Sequence, residues 1–541
     1  MHPVHPSLRF GLTALPLLLC CCAGPENKAS FKLTVRPVLP PSQADLFDSI
    51  DTLLVRTAVG AEVVEEHEID VVRGTSPAIE GLSALPAGVT VELEGYDGDD
   101  LVARGISEPL DVGRRDKISV DIYFSALGET ATFNSLEVPS LGAAAASDGV
   151  GNFYVFGGTD LDWFGEPVDA IQRWSLLPPD DGLAPVTVAS FPVYNGEWVS
   201  GLGARTGCTA TLLAEGDHDD LGKILVTGGW EGFDGSDSVV PQAFLFDPAA
   251  APDGAIEVID DMNRERAAHI AVALGSGDVV LFGGFSWATG AGAVNPATRV
   301  EVYRAADRSF VLGSTVLERG RIAGAAARLG DDALYCGGVE FAGNFYAAYG
   351  DCVQANRDAQ ASVLAGPTQL GSAGLLLPSM ARLGSSAVLL SGGAVVDGQV
   401  NIAQSSAASR DAYIYDLESN PPAWRKAASM FVARAGHVST ALPDGRVLVA
   451  GGAGSVHSYG LIGDDLLACA EIYDPGSDSW AELKPGCGAS TTIGSLPEGL
   501  FQPSIALDPY YGALIWGGLA PNARGDLEAQ PTYALFTPFP D

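Results

Sequence analysis

Residues 434–452 read R-A-G-H-V-S-T-A-L-P-D-G-R-V-L-V-A-G-G, and residues 470–480 read A-E-I-Y-D-P-G-S-D-S-W. The first stretch contains two apolar segments on either side of Asp444-Gly445, a dipeptide that favours the tight turn of a β-hairpin. The second stretch places Tyr473 in a further apolar segment and Trp480 at the start of the next. The sequence therefore predicts one antiparallel unit of four strands.

The glycine pair that ends the second strand of this unit recurs along the chain. The pairs are Gly157-Gly158, Gly228-Gly229, Gly283-Gly284, Gly337-Gly338, Gly392-Gly393, Gly451-Gly452 and Gly517-Gly518. Successive pairs are 54 to 71 residues apart, and each follows an apolar run. Because a repeat of this length indicates an array of similar supersecondary units, we predict seven of them.

Large aromatic side chains also recur at matching positions. Those of third strands are Phe246, Tyr303, Tyr415 and Tyr473, and those that open fourth strands are Phe310, Trp424 and Trp480. The double glycine, the Tyr and the Trp together resemble a kelch repeat, whose period of about 50 residues corresponds to one four-stranded propeller blade. The resemblance implies an all-β protein with a seven-bladed kelch-type β-propeller over residues 130–541.

The two ends of the propeller region are expected to share one blade. After Gly517-Gly518 we predict only one further strand, residues 532–536, so the seventh unit lacks a fourth strand. An unpaired strand would expose backbone donors and acceptors and invite aggregation. Residues 130–138 precede the first strand of blade one, and we expect them to pair with residues 532–536, with Phe133 packing as Trp424 and Trp480 do.

Residues 1–22 have the organisation of a secretory signal. The apolar run from Phe10 to Leu19 is too short to span a bilayer as a helix but long enough for a signal peptide. The following cysteines resemble the lipidation site of a bacterial lipoprotein signal, with Cys22 or Cys21 as the modified residue; simple cleavage is the alternative. The resemblance implies an extracytoplasmic, lipid-anchored protein of the cell envelope, and Ala23 after Cys22 favours the outer membrane.

Residues 30–127 lack glycine pairs and show short alternating apolar runs, as at Val89, Val91 and Leu93. Period-two alternation broken by turns predicts half-buried strands packed as two sheets. This segment resembles the small Ig-like or transthyretin-like β-sandwich modules of bacterial surface proteins.

The formal net charge of -37 restricts the partners of the protein. Nucleic acids and anionic membrane surfaces both attract clustered Lys and Arg, so no nucleic acid partner is expected. Any membrane contact is expected through the lipid anchor only.

An arginine recurs where a fourth strand leads into the next unit. The motif residues are Arg205, Arg266, Arg321 and Arg434, with His269 and His437 three positions after the second and the fourth arginine. In a four-stranded meander this position lies at the same end as the long loops after the glycine pairs. Arg binds carboxylate or phosphate groups through two parallel hydrogen bonds, which favours a ligand face. The other interpretation is that each Arg binds carbonyl groups of its own blade, and the sequence leaves both open.

The five later cysteines fit an oxidising compartment. Two pairs, Cys336 with Cys352 and Cys469 with Cys487, each lie within one predicted blade and are predicted disulfides. Metal-bound or reduced pairs are the alternative. Cys208 takes the position that His occupies in units three and six, and we expect a buried free thiol there.

Common catalytic constellations are missing from the sequence, which has no metalloprotease, nucleophile-elbow or phosphate-loop motif. Kelch propellers that it resembles include galactose oxidase, a copper enzyme, and a sialic acid epimerase. Part of the copper enzyme's ligand set comes from a domain after its propeller, and this chain ends 23 residues beyond Gly518. We therefore expect no metal or cofactor and a non-enzymatic binding or scaffold protein with a protein or glycan ligand on the propeller face. The alternative is a carbohydrate-active enzyme, epimerase-like or oxidase-like.

Overall fold

The computed structural model describes residues 32–538 except 60–61, 78, 83–87, 108, 111–116, 133–140, 160–164, 177–185, 192–202, 232–238, 251–252, 289–292, 458–461, 484–495, 523, 525 and 531–532. The predicted signal segment 1–22 with Cys21 and Cys22 lies outside the described residues, as do Phe133 and Cys487. The described structure is almost entirely β, as predicted, and its helices are the short 3₁₀ turns Pro41–Gln43, Leu46–Asp48 and Thr368–Leu370. No helix in the described part of the chain is long and apolar enough to cross a membrane.

The N-terminal unit, residues 32–126, consists of two sheets around one apolar core. Its strands are β1 (Lys32–Val38), β2 (Thr52–Val59), β3 (Glu62–Asp70), β4 (Ile79–Leu82), β5 (Thr90–Asp97), β6 (Asp100–Ile106), β7 (Lys117–Tyr123) and β8 (Ser125–Ala126). One sheet has the order β4-β1-β7, with β1 and β7 parallel, and the other has the order β3-β2-β5-β6-β8. Alternate side chains of both sheets, among them Val35, Val55 and Leu93, are buried in the shared core, as the period-two pattern predicts.

Strand β9 (Thr130–Thr132) follows, and then three antiparallel sheets in chain order. Sheet 1 consists of β10 (Ala144–Ser147), β11 (Asn152–Phe156), β12 (Ala170–Ser175) and β13 (Val186–Ser190). Sheet 2 consists of β14 (Thr209–Leu212), β15 (Ile224–Thr227), β16 (Ala243–Asp247) and β17 (Ala255–Val258). Sheet 3 consists of β18 (Ile270–Ala273), β19 (Val279–Phe282), β22 (Glu301–Arg304) and β23 (Ser309–Leu312), and the hairpin β20 (Phe285–Ala288) and β21 (Ala293–Pro296) lies between its second and third strands.

Sheets 4 and 5 carry additional short strands. Sheet 4 consists of β24 (Ile322–Leu329), β25 (Asp332–Ala342), β27 (Cys352–Ala355) and β28 (Ala361–Leu364), with β26 (Phe345–Ala348) between the second and third of these. After β29 (Gly374–Leu376), sheet 5 consists of β30 (Ser379–Leu383), β31 (Ala387–Ser391), β35 (Ala412–Asp416) and β36 (Ala423–Lys426). Between its second and third strands lie β32 (Ala394–Val396), β33 (Gln399–Asn401) and β34 (Ser406–Ala407).

Sheets 6 and 7 complete the chain. Sheet 6 consists of β37 (Val438–Ala441), β38 (Val447–Ala450), β41 (Ala470–Asp474) and β42 (Ser479–Glu482), with the hairpin β39 (Ala453–His457) and β40 (Ile462–Leu466). Sheet 7 consists of β43 (Ser504–Asp508), β44 (Gly512–Trp516) and β47 (Tyr533–Phe536), with the hairpin β45 (Leu519–Pro521) and β46 (Leu527–Ala529). Its fourth strand is β9, because Thr130, Ala131 and Thr132 pair with Phe536, Leu535 and Ala534. The predicted sharing of this sheet between the two ends of the region is confirmed over those residues.

The first strands of the seven sheets contact one another in chain order. β10 contacts β14, and the same contact links each later pair, β14 with β18, β18 with β24, β24 with β30, β30 with β37 and β37 with β43. The last of these strands, β43, contacts β10.

Aromatic pairs fill the spaces between neighbouring sheets. The ring centroids of Tyr473 and Trp480 are 5.1 Å apart, and those of Tyr415 and Trp424 are 5.2 Å apart. Tyr473 and Trp480 share a core with Leu389 and Ile414 of sheet 5, so these rings join two sheets. Such rings bury large apolar areas, which explains why they recur at fixed positions in the sequence.

The cysteines follow the predicted pattern where they are described. Cys336 and Cys352 form a disulfide between neighbouring positions of β25 and β27. Cys469 is also disulfide-bonded, while its predicted partner Cys487 lies outside the described residues. Cys208 is a buried free thiol, and burial raises its pKa to about 11.

Candidate functional site

The two ends of the sheets differ in what they carry. We call the end where second strands finish and third strands begin the loop face, because the hairpins β20–β21, β39–β40 and β45–β46 lie there. We call the opposite end, which carries the short turns between first and second strands, the turn face. The arginine motif lies at the loop-face end, immediately before the first strands.

The glycine pairs and the arginine motif meet across neighbouring sheets. The second glycine of a pair donates its N–H to the carbonyl of the next sheet's arginine, as from Gly229 to Arg266 at 2.8 Å and from Gly393 to Arg434 at 2.9 Å. Both glycines of each pair have a left-handed φ. A methyl group on the first glycine would lie 2.3 Å from the Arg266 oxygen at Gly228 and 2.4 Å from the Arg434 oxygen at Gly392. Only glycine fits this close approach.

The arginine side chains are buried and bound within their own sheets. Arg266 and Arg434 are 0% exposed and pair with the equally buried Glu301 and Glu471 at 3.1 and 2.5 Å. They also donate to the carbonyls of Gly283 and Gly451.

The other two arginines have related environments. Arg205 is also fully buried and donates to the Gly228 carbonyl and to the side-chain oxygen of Gln242. Arg321 pairs with Asp351 at 2.8 Å, and its guanidinium lies 4.3 Å from the centre of the Tyr349 ring. The interpretation of these four residues as ligand-binding groups does not fit this geometry, because the side chains are buried and their Nη atoms donate to backbone carbonyls and to acceptors within the fold. The alternative from the sequence, that each binds carbonyls of its own repeat, describes what they do.

The two histidines join neighbouring sheets instead of lining a surface. The Nε2 atom of His269 lies 2.8 Å from Thr227 Oγ1, and that of His437 lies 3.0 Å from Ser391 Oγ, in each case a residue of the preceding sheet. Burial, together with the nearby Arg266, lowers the pKa of His269 to about 3. Burial and Arg434 likewise lower the pKa of His437 well below its usual value. Both rings are buried and therefore unavailable to a ligand at the surface.

Backbone hydrogen bonds between neighbouring sheets lie beside these residues. In the described part of the chain the third motif position has a left-handed φ in every sheet, at Gly142, Gly207, Ala268, Ala323, Leu377, Gly436 and Gln502. Gly207 donates to Gly142, Ala268 to Gly207, and Gln502 to Gly436, at 2.8 to 2.9 Å. Where the arginine motif is present, the small residue two positions after the arginine indicates this left-handed position in the sequence. Leu377 and Gln502 have the same conformation, but their residue types do not indicate it.

The loop-face hairpins of sheets 4, 5 and 6 are joined into one outer layer. Strand β26 pairs with β33, so sheet 4 is connected to the loop of sheet 5, and β34 pairs with β39, so that loop is connected to sheet 6. Beneath the layer lies an apolar cluster that includes Val339, Tyr346, Val396, Val456 and Phe501. The outer layer is therefore a hydrogen-bonded surface on a packed base, which the sequence analysis did not predict.

The outer layer exposes apolar side chains on each of its three parts. Phe345 on β26 is 45% exposed, Val395 on β32 is 41% exposed and Ile462 on β40 is 37% exposed. Exposed carboxylates accompany them at Asp397, Asp464 and Asp465. Arg319 donates to Glu340 of β25 at 2.7 Å.

Metal-binding groups are not found in the part of the chain that the structure describes. Among those residues, no three His, Cys, Asp or Glu side chains are arranged to hold a metal ion. The pairing of His269 and His437 with hydroxyl groups agrees with this.

These features define an all-β protein built from repeated four-stranded antiparallel sheets. No family model matches the chain, and no curated protein matches its sequence. A solved structure with a similar fold is a fungal alcohol oxidase of the AA5 family in complex with copper, with a TM-score of 0.50, 14% identity, and 75% coverage of each chain. Another is the protein YjhT, with a TM-score of 0.41 and 14% identity over 60% of this chain and 92% of that chain. At this identity the oxidase shows a similarity of fold alone, and the similarity to YjhT supports no conclusion.

Proposed function

We propose that this chain is a kelch-type β-propeller lipoprotein of the cell envelope, with seven blades in a closed ring, that binds a protein or glycan through its loop face without catalysing a reaction. The cyclic contacts of the first strands, from β10 through β43 and back to β10, support the ring. The pairing of β9 with β47 supports it as well, because it gives the last sheet the fourth strand that a blade requires.

The outer layer is the observation that carries the binding proposal. Its hairpins are fixed by the β26–β33 and β34–β39 pairings, so the exposed side chains are held in place before a partner arrives. Pre-organisation of this kind reduces the entropy lost on binding. Rigid loops on a β scaffold are also where binding residues concentrate.

The side chains of the outer layer indicate the kind of partner. Phe345, Val395 and Ile462 give apolar contact area on three adjoining hairpins, and Asp397, Asp464 and Asp465 place negative charge near it. An apolar centre with a charged rim is typical of protein interfaces. We therefore favour a protein partner with basic residues at its rim, and a glycan is the other ligand of the same face.

The experiment is a binding measurement with matched surface variants. A photo-reactive amino acid at Phe345, introduced in intact cells, should crosslink to a defined envelope partner, and a glycan array tests the other ligand. The triple variant Phe345→Ser, Val395→Ser, Ile462→Ser should weaken binding of that partner at least tenfold. The control Val186→Ser, Val258→Ser, Val363→Ser alters exposed valines of fourth strands and should change binding less than twofold. Equal losses in both triple variants would contradict the assignment to the loop face.

The enzymatic alternative is tested on the same purified protein. Metal analysis after incubation with copper and assays for sugar oxidation and epimerisation should show neither stoichiometric copper nor turnover. Turnover that the loop-face triple variant abolishes would replace the binding proposal with a carbohydrate-active enzyme. The lipid anchor is tested separately, because replacing Cys20, Cys21 and Cys22 with Ser should release the protein from the membrane fraction.

A further inference from the structure

A cavity of about 300 Å³ lies between the N-terminal unit and the turn face of sheets 6 and 7. One wall consists of side chains from β2, β5 and β6, namely Arg56, Glu92, Glu94 and Arg104. The opposite wall comes from the turns before β38 and β44 and includes Asp444 and Tyr510. The cavity is at the opposite end of the sheets from the outer layer and does not depend on the proposed function.

The two walls are held together by a short and well-bonded junction. Three residues, 127–129, connect β8 to β9. The hydroxyls of Ser125 and Thr537 are 2.6 Å apart, and the Gly128 N–H donates to the Thr537 carbonyl at 3.0 Å. On the other side of β9, the Thr132 N–H donates to Ser42 Oγ at 2.9 Å. The cavity is thus formed in advance, as small-molecule sites generally are.

The charged wall contains both donors and acceptors. Arg56 Nη1 lies 3.3 Å from Glu92 and 3.3 Å from Glu94, and Arg104 Nε lies 2.6 Å from Glu92. Tyr96 donates to the second oxygen of Glu94 at 2.9 Å, and this carboxylate is buried. Neither Arg56 Nη2 nor Arg104 Nη1 has an acceptor among the described residues, and each carboxylate oxygen has a second lone pair.

The charges in the cavity exclude strongly charged ligands. The side chains of Arg56 and Arg104 carry two positive charges and those of Glu92 and Glu94 two negative charges, while Asp444 on the opposite wall is paired with Arg446. A phosphate or carboxylate ligand would meet the carboxylates, while an amine would meet the guanidinium groups. A hydroxyl group can donate to a carboxylate and accept from a guanidinium at the same time. The wall therefore fits a ligand rich in hydroxyl groups and without net charge.

The opposite wall provides apolar surface for such a ligand. The Tyr510 ring, which is 46% exposed, and the rings of Pro443 and Pro509 line this side. Aromatic and proline rings offer flat apolar faces that match the C–H face of a sugar ring, while the Tyr hydroxyl keeps a polar group available. We propose that the cavity binds a neutral sugar of one or two rings.

Isothermal titration of the mature protein tests this proposal. Glucose, galactose, maltose and cellobiose are the neutral probes, and glucose 6-phosphate and glucosamine are the anionic and cationic ones. We expect at least one neutral sugar to bind in the millimolar range or tighter, and its charged counterparts to bind at least tenfold more weakly. The absence of binding by every neutral sugar, or stronger binding of the phosphate ester, would overturn the proposal.

Variants locate the bound sugar. Tyr510→Ala removes an exposed ring of a turn, so the fold should be retained, and binding should weaken at least tenfold. Arg104→Gln, checked by its unfolding transition, removes a guanidinium and should have a similar effect. Val258→Ala, at an exposed position of a fourth strand, is the control and should change affinity less than twofold. Phe345→Ala reports whether the sugar binds at the loop face instead. A sugar that responds to Phe345→Ala but not to Tyr510→Ala binds at the loop face, and the cavity assignment is then wrong.

Discussion

At the scale of single residues, the ion pairs of Arg266 with Glu301 and of Arg434 with Glu471 are distinguished by the complete burial of all four side chains. Removing two charges from water is costly, and their attraction offsets this only while both partners are present. Sheet 2 shows a variation on the arrangement, because the neutral side chain of Gln242, at the strand position that matches Cys469, accepts from Arg205. A neutral amide oxygen is therefore a sufficient acceptor for a buried arginine of this motif.

Replacement of Glu471 tests this account. Glu471→Ala leaves Arg434 buried without its partner and should lower the free energy of unfolding by about 3–5 kcal/mol. Glu471→Gln retains an acceptor for Arg434, as Gln242 is for Arg205. This variant should therefore lower the free energy of unfolding distinctly less. Urea unfolding measures both, and Glu318→Ala, at an exposed position, should cost less than about 0.5 kcal/mol. If Glu471→Ala lowers the free energy of unfolding no more than Glu318→Ala does, the pair of Arg434 and Glu471 does not contribute to stability.

The sequence predicted where these arginines lie, and offered carbonyls of the same repeat as their acceptors, but it did not predict their acid partners. Spacing alone placed Arg434 at the loop-face end, whereas its acid partner Glu471 lies in a later strand and is recognised only once β38 and β41 are adjacent. The buried thiol of Cys208 was predictable because its position matches that of His269, a comparison within the sequence itself.

At the scale of elements, the contact between a glycine pair and the next sheet's arginine carbonyl explains why the repeat requires glycine. Gly392 and Gly398 provide a comparison, because both have a left-handed φ, of 58° and 70°. A methyl group at Gly392 would lie 2.4 Å from a backbone oxygen, whereas at Gly398 it would meet nothing within 4 Å.

Alanine at these two glycines should separate backbone strain from close contact. Gly398→Ala should lower stability by about 1–2 kcal/mol, the cost of a left-handed conformation for an L-residue. Gly392→Ala carries the same strain and also forces sheets 5 and 6 apart, so its loss should be clearly larger. Thermal unfolding of the two variants measures the difference, and equal midpoints would show that the close contact relaxes without cost.

The inner strands of the sheets were predictable because they are long apolar runs. The strands of the outer layer were not predictable from the sequence. Strands such as β33 and β34 have two or three residues, too few to show a period, and they exist because neighbouring hairpins pair with them. Their positions depend on contacts between sheets 4, 5 and 6, which the sequence does not display.

At the scale of the whole molecule, the pairing of β9 with β47 joins the beginning of the sheet array to its end. The junction cavity results from the same connection, because the three-residue link fixes the N-terminal unit beside sheets 6 and 7. The alternation pattern predicted this unit, but no sequence pattern shows which residues of two units will face each other.

Two truncations test the role of β9. A protein lacking residues 23–127 retains β9 and should remain folded, with some loss of stability because Tyr123 packs against the core of sheet 7. A protein lacking residues 23–139 loses β9, exposes the β47 edge and should melt at a markedly lower temperature or be insoluble. Circular dichroism and sedimentation of both proteins measure this. Equal stability would mean that the edge of β47 does not need a partner.

The β9–β47 pairing also has a consequence in time. Thr130 is synthesised roughly 400 residues before Tyr533, which at about 5–20 residues per second is an interval of about 20–80 s. Throughout that interval β9 lacks its partner β47, so the growing chain has an unpaired strand that can join a neighbouring molecule. When β47 pairs with β9, the exposed edges of both strands are covered at the same time.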